Sequence, residues 1–280
     1  MLDLHIHTTA SDGTCTPEQV VRLAKKKGFS LISVTDHDTM GGVKEAMEAG
    51  EKWNVEVIPG VEISAGVQLE VHMLGYGMQP DHPVMVEMME DMRAARVERM
   101  VRMIENLRKM GIPITQEEVE AIADGAIGRP HIARVMIAHG VVPDVRTAFR
   151  EYIGVGAPAY AERRKMTSEQ VIRNIRDAGG VPVLAHGGLL RLTQVELNEW
   201  IDHMTRAGLM GLECYHNAHT PAMERFLRNA AEQRGLLITG GSDFHGATRK
   251  DVDLGTGLDR WEDRQSCRGK LLQAIASVRH

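Results

Sequence analysis

Seven short apolar runs punctuate the chain, at residues 2–5, 31–35, 55–58, 69–74, 181–185, 209–215 and 236–239, and amphipathic stretches separate several of them. Runs of this length read as buried strands, and helical patterns between them imply a mostly parallel sheet. The first helix is the best marked. Thr16 and Gln19 form a capping box around Pro17, and Gly28 stands where the helix should stop. About seven such strands favour a closed or distorted α/β barrel over an open sheet. The alternation breaks between about residues 80 and 160, where helical patterns cover 82–110, 116–124 after Thr115, a stretch from Pro130, and 144–153. The expected organisation is therefore a barrel from residues 1–80 and 161–280 with an inserted helical lobe at 81–160. Met85, Met88, Met89, Met92, Met100 and Met103 recur at helical spacing and are expected to pack a core.

Composition removes several classes of function. A net charge of −5 over 280 residues argues against a broad basic surface for duplex DNA. The three cysteines, Cys15, Cys214 and Cys267, are scattered and odd in number, which suits a reducing cytoplasm better than a disulfide framework. There is no signal-peptide pattern and no apolar run of ~18 residues, so neither export nor a membrane span is expected.

The histidines carry the chemistry. His5 and His7 are two apart at the end of the first run, so on a strand they share a face. Further candidates follow the later runs: Asp36 and His37 in TDHD, Glu62 in PGVEIS, His186 in VLAHGG, and Asp243 and His245 in GGSDFHG, with His72 inside EVHMLGY. Barrel enzymes place their reactive groups at the carboxyl ends of strands. For single residues bland readings exist: Asp36 could cap a helix and His72 could pack a core. The set is what argues for a site. Imidazole and carboxylate without thiolate suit manganese, zinc or iron, and so many ligands exceed what one tetrahedral ion uses, so two or three divalent ions are expected. Three such ions carry ~+6 against ~−3 from Asp12, Glu62 and Asp243, an excess that favours an anionic ligand such as a phosphate ester.

DLHIHTTASDGT, SVTDHD, GVEIS, VHMLGY, VLAHGG and GGSDFHG, in this order, resemble the successive motifs of the polymerase and histidinol phosphatase (PHP) family from Leu2 to about Gly246. Within it, IGRPHIARVMIAHGVV and the helical insertion are similar to nucleoside 3′,5′-bisphosphate phosphatases and 5′-to-3′ exoribonucleases. The resemblance implies a distorted (β/α)7 barrel, a trinuclear site, and phosphoester hydrolysis by a metal-bridging hydroxide. By the same resemblance, His5, His7, Glu62 and Asp243 match the ligands of one metal, Glu62, His72 and His186 those of a second, and Asp12, His37 and His245 those of a third. Gly187 stands where the family usually has proline, and ECYHNAHT replaces a stretch richer in proline.

Four further residues are expected at the substrate. Arg129 and His131 in GRPH lie at a predicted helix start, where anions bind well. His216 or His219 could donate the proton to the leaving oxygen, the alternative being two exposed loop histidines. Arg163, Arg164 and Lys165 are read as a solvated basic face, and Cys15 as a packing residue. The substrate is expected to be a small phosphorylated molecule: a nucleoside 3′,5′-bisphosphate or short RNA first, a histidinol-phosphate-type ester second. A noncatalytic metal-binding module is the remaining alternative.

Overall fold

The computed structural model of the protein describes residues 1–66, 69–123 and 125–279. Seven strands form one sheet in chain order: β1 (Leu2–Asp3), β2 (Leu31–Val34), β3 (Glu56–Ala65), β4 (Val71–Tyr76), β5 (Val181–Leu184), β6 (Gly211–His216) and β7 (Leu237–Gly241). The sheet nearly closes into a barrel. Hydrogen bonds from Leu4 N to Gly240 O (3.2 Å), Asp243 N to His5 O (2.9 Å) and His7 N to Phe244 O (2.9 Å) join the ends of the first and last strands. Gly241 permits that approach, since a Cβ there would stand 2.1 Å from the Cβ of His5.

Two joints depart from the parallel expectation: β3 pairs antiparallel with β4, and β4 antiparallel with β5. β3 and β4 are consecutive antiparallel strands, with no helix between them among the described residues. Because PGVEISA continues as strand, β3 reaches 10 residues, and Glu62 lies within it instead of after it. Reversal of β4 brings its first residues to the rim where the parallel strands end, so His72 faces the site from the start of its strand, opposite Ser64.

Helices α1 (Pro17–Lys26), α2 (Val43–Trp53), α7 (Ser168–Asp177), α8 (Gln194–Ala207), α9 (Pro221–Arg234) and α10 (Arg264–Val278) surround the sheet. The expected capping box starts α1, with the Thr16 side chain accepting from Gln19 N, and Gly28 follows its end at φ +78°. Between β4 and β5 the chain is helical: α3 (Pro83–Lys109), α4 (Gln116–Ala121), α5 (Arg129–Ala138) and α6 (Val145–Ala148), which continues into a π-helical turn at Phe149–Ile153. The expected end of α4 at Asp124 lies outside the described residues. The methionine spacing has a packing outcome: Met85, Met88 and Met92 join the barrel core, while Met100 and Met103 are buried in a separate cluster with Ile132, Val135 and Met136 of α5. The division between the two cores thus falls within α3.

Candidate metal centre

Four short-range groupings of nitrogen and oxygen donors gather at one rim of the barrel: His7, Asp12, His37 and His245; His5, Glu62 and His186; His37, Glu62 and His72; His5, His216 and Asp243. All nine residues expected from the sequence take part, and His216 joins them. Glu62 is the hub. Its Oε1 lies 2.9 Å from His72 Nδ1 and 2.9 Å from His186 Nε2, and its Oε2 lies 3.0 Å from His37, 3.2 Å from His7 and 3.3 Å from His5. His7 faces two ways, 3.2 Å from Asp243 and grouped with Asp12, His37 and His245.

Several of these atoms are buried with no hydrogen-bond partner among the described residues: His5 Nε2, both nitrogens of His7, His37 Nδ1, Glu62 Oε2 and His186 Nδ1. Unpaired buried polar atoms are costly. Their convergence fits hard or borderline divalent ions held by imidazole and carboxylate. Electrostatics point the same way. Burial pushes the Glu62, Asp12 and Asp243 carboxyls up, but facing imidazoles outweigh it and hold all three well below their usual range. Conversely, burial disfavours the His5 and His7 imidazoliums, yet the carboxylates around them win, and His7 is pushed up to about 10. The centre therefore demands positive charge, from protons or from metal ions.

Neighbouring residues aim these donors. Glu213 Oε1 accepts from His5 Nδ1 at 2.9 Å, turning Nε2 toward the centre, while its Oε2 accepts from His186 N at 2.6 Å. Asp36 is no helix cap. It accepts from Thr8 N and Oγ1, each at 2.7 Å, and from Ser11 Oγ at 2.6 Å, fixing the loop that carries Asp12. His186 and Asp243 sit at φ +29° and +54°, conformations that side chains other than glycine rarely adopt, as does Asp38 at +53°. Arg249 pairs with Asp243 Oδ2, and Arg134 donates to Asp12 O and Thr248 Oγ1, each at 3.0 Å.

The remaining expected residues separate by environment. His216 and His219 are buried, not loop-exposed. Nδ1 of His216 accepts from Ala218 N at 3.1 Å, which leaves the proton on Nε2, 3.4 Å from Asp243. Both ring nitrogens of His219 are spent on backbone, Cys214 O at 3.0 Å and Gly188 N at 3.1 Å, so it braces the turn after His186. His131 is similarly engaged, its Nδ1 accepting from Gly128 N at 3.1 Å as a capping group of α5. Arg129, at the first position of α5, stands over Phe149 and Tyr160 at 5.1 and 5.9 Å.

The solvated reading of the 163–165 cluster does not hold for Arg163, which is only 8% exposed. It pairs with buried Asp38, which also receives Arg96 of α3 at 2.6 and 2.8 Å and Ser64 N at 2.7 Å. The second aspartate of TDHD thus ties α3 and the strap before α7 to the rim. Missed too were Glu213 and Arg249. An acid inside the apolar GLECYH run was a visible signal for Glu213; nothing local marked Arg249.

The PHP domain family profile matches residues 3–122. The chain is 32% identical to a 5′-3′ exoribonuclease of Haemophilus influenzae, over 92% of this chain and 94% of that one. It is likewise 32% identical to a 3′,5′-nucleoside bisphosphate phosphatase of Chromobacterium violaceum, over 91% and 90%. A crystal structure of an inferred metal-dependent phosphoesterase from Bifidobacterium adolescentis superposes with a TM-score of 0.88 at 35% identity, covering 98% of this chain and 96% of that one. The chain belongs to the PHP-domain metal-dependent phosphoesterases, among the relatives of nucleoside bisphosphate phosphatases and 5′-3′ exoribonucleases.

Proposed function

We propose that the protein removes the 3′-phosphate of nucleoside 3′,5′-bisphosphates, and trims short RNA from its 5′ end by the same chemistry. One observation carries the choice of substrate: beside a donor cluster suited to one phosphate lies a second, separate demand for negative charge. Arg129 is half-buried; burial draws its guanidinium down, with the Glu70 carboxylate acting in the opposite sense, and it stacks on rings and makes no ion pair among the described residues. Arg99, also over the Tyr160 ring at 5.4 Å, is drawn down to about 10 by burial and then by the charge of Arg129. A second phosphate placed there would relieve both. Relatives with this architecture include enzymes named for such substrates.

Within this reading, His5, His7, Asp12, His37, Glu62, His72, His186, Asp243 and His245 hold the ions. Two or three divalent ions there, manganese, zinc or iron, would supply Lewis acidity toward the phosphoryl oxygens. Glu213 keeps His5 in the tautomer that faces the centre. His216, with its proton held on Nε2, is the donor for the leaving oxygen; His219 has no free nitrogen for that role. Arg129 orients the second phosphate, and His131 keeps the start of α5 formed behind it.

The test is phosphate release from adenosine 3′,5′-bisphosphate and from histidinol phosphate by manganese-reconstituted protein, measured side by side. Preference for the bisphosphate is expected. Preference for histidinol phosphate would overturn the nucleotide assignment, and hydrolysis of neither would return the chain to a metal-binding module.

A further inference from the structure

A groove of about 950 Å³ lies between the helical segment and the barrel. Its lining includes Glu70, two residues before His72, and Leu189, three residues after His186, so it borders the segments that carry two of the candidate donors. Its walls carry five Lys and Arg side chains against three Glu, in a chain whose overall charge is −5. Some of that charge is already engaged: Arg163 by Asp38, and Lys165 by Glu70 at 3.2 Å. Arg191 is exposed, and the exposed Arg102 meets a backbone carbonyl, that of Glu162, at 2.6 Å.

Apolar groups share the lining with these cations. Val155 is 72% exposed and Leu189 is 49% exposed, and both face this groove, as does the half-buried Tyr160, braced by Arg99. Cations that follow a backbone, interleaved with apolar and aromatic platforms for bases, are how sequence-tolerant sites hold single strands. The volume is at the upper end for a small-molecule pocket, ~300–1,000 Å³, and exceeds what a terminal nucleotide alone requires.

Building on the nucleotide assignment above, we infer that this groove seats the nucleotides flanking the scissile phosphodiester of a single-stranded oligoribonucleotide. Arg102 and Arg191 meet backbone phosphates; Tyr160, Val155 and Leu189 lie under the bases.

The experiment compares kcat/KM of the manganese-loaded protein for adenosine 3′,5′-bisphosphate, a 5′-phosphorylated diadenylate and a 5′-phosphorylated octaadenylate, in wild type, Arg191→Glu and Leu189→Ser. Both substitutions are at exposed positions. Wild type should favour the octamer over the dimer. Arg191→Glu should cost the octamer about tenfold and flatten its salt dependence by about 0.7 in log–log slope for each phosphate that the arginine had neutralised. Leu189→Ser should weaken the octamer without changing the salt slope, and neither variant should alter turnover of the bisphosphate. Equal losses on the octamer and the bisphosphate, or an octamer indifferent to both variants, would overturn the groove assignment. Wild type that leaves the bisphosphate intact would overturn the nucleotide assignment itself, which keeps the two failures apart.

Discussion

Glu213 shows how much of this site depends on residues one step behind the donors. Its two oxygens serve His5 Nδ1 and His186 N, so one carboxylate sets both a tautomer and a turn. Glu213→Gln keeps the volume and the hydrogen bond to His186 but removes the charge opposite His5. Partners of this kind are worth about 10–100-fold in metal affinity; a loss of that size is expected in metal titrations, with the far-UV spectrum unchanged. Arg129→Ala should raise KM for a nucleoside bisphosphate far more than for a simple phosphomonoester. Similar effects on both would remove Arg129 from the second phosphate. The donors themselves were legible because histidines and acids recur beside apolar runs, a place where chance seldom concentrates them. Glu213 carried a weaker signal, a lone acid inside an apolar run, which competes with the more common case of a solvated acid on a strand. Whether His219 faces substrate or backbone depends on Gly188, whose approach only the fold reveals.

At the level of elements, the strands were legible as apolar runs, but their direction was not. No local pattern separates an antiparallel joint from a parallel one when both faces are buried; the β3–β4 reversal is the result. The coupling of the helical segment to the rim was equally hidden, because Asp38 meets Arg96 and Arg163 from positions 58 and 125 residues away. Burial pushes the Asp38 carboxyl up, but the Arg96 and Arg163 guanidiniums outweigh it and hold it well below the usual carboxylate range. Asp38→Asn leaves both cations facing a neutral amide, and breaking a buried pair costs about 3–5 kcal/mol. For a chain of this size that lowers the thermal midpoint by roughly 5–9 °C. The folded-state pKa is depressed, so the stabilisation is complete above the unfolded value of ~3.9 and is lost as pH falls toward the folded one. The advantage of wild type over Asp38→Asn should therefore be constant above about pH 5 and shrink below about pH 4. A difference that instead widened in acid would mean that Asp38 is not the anion of this seam.

On the scale of the whole molecule, barrel and centre form one structure. The unpaired donors penalise the folded state until ions satisfy them, so manganese at a hundredfold excess over Kd should add about 2.7 kcal/mol relative to chelated protein. Because carboxylates raise the His5, His7 and His72 imidazoliums, loading near neutral pH should also release protons, which an indicator dye in weak buffer would record. Identical melting with chelator and with manganese would contradict the reading of those donors as a metal centre. The same geometry constrains the chain's motions. His5 O, His7 N and Asp243 N join the first strand to the last, so the backbone that presents the donors is also the barrel's clasp. Anything that grips those side chains stiffens the joint, and amide exchange at His7 and Asp243 becomes a report on occupancy from the opposite side of the peptide. An evolving chain could exchange one metal or substrate for another at this rim, but abandoning the centre altogether would loosen the ring that carries it.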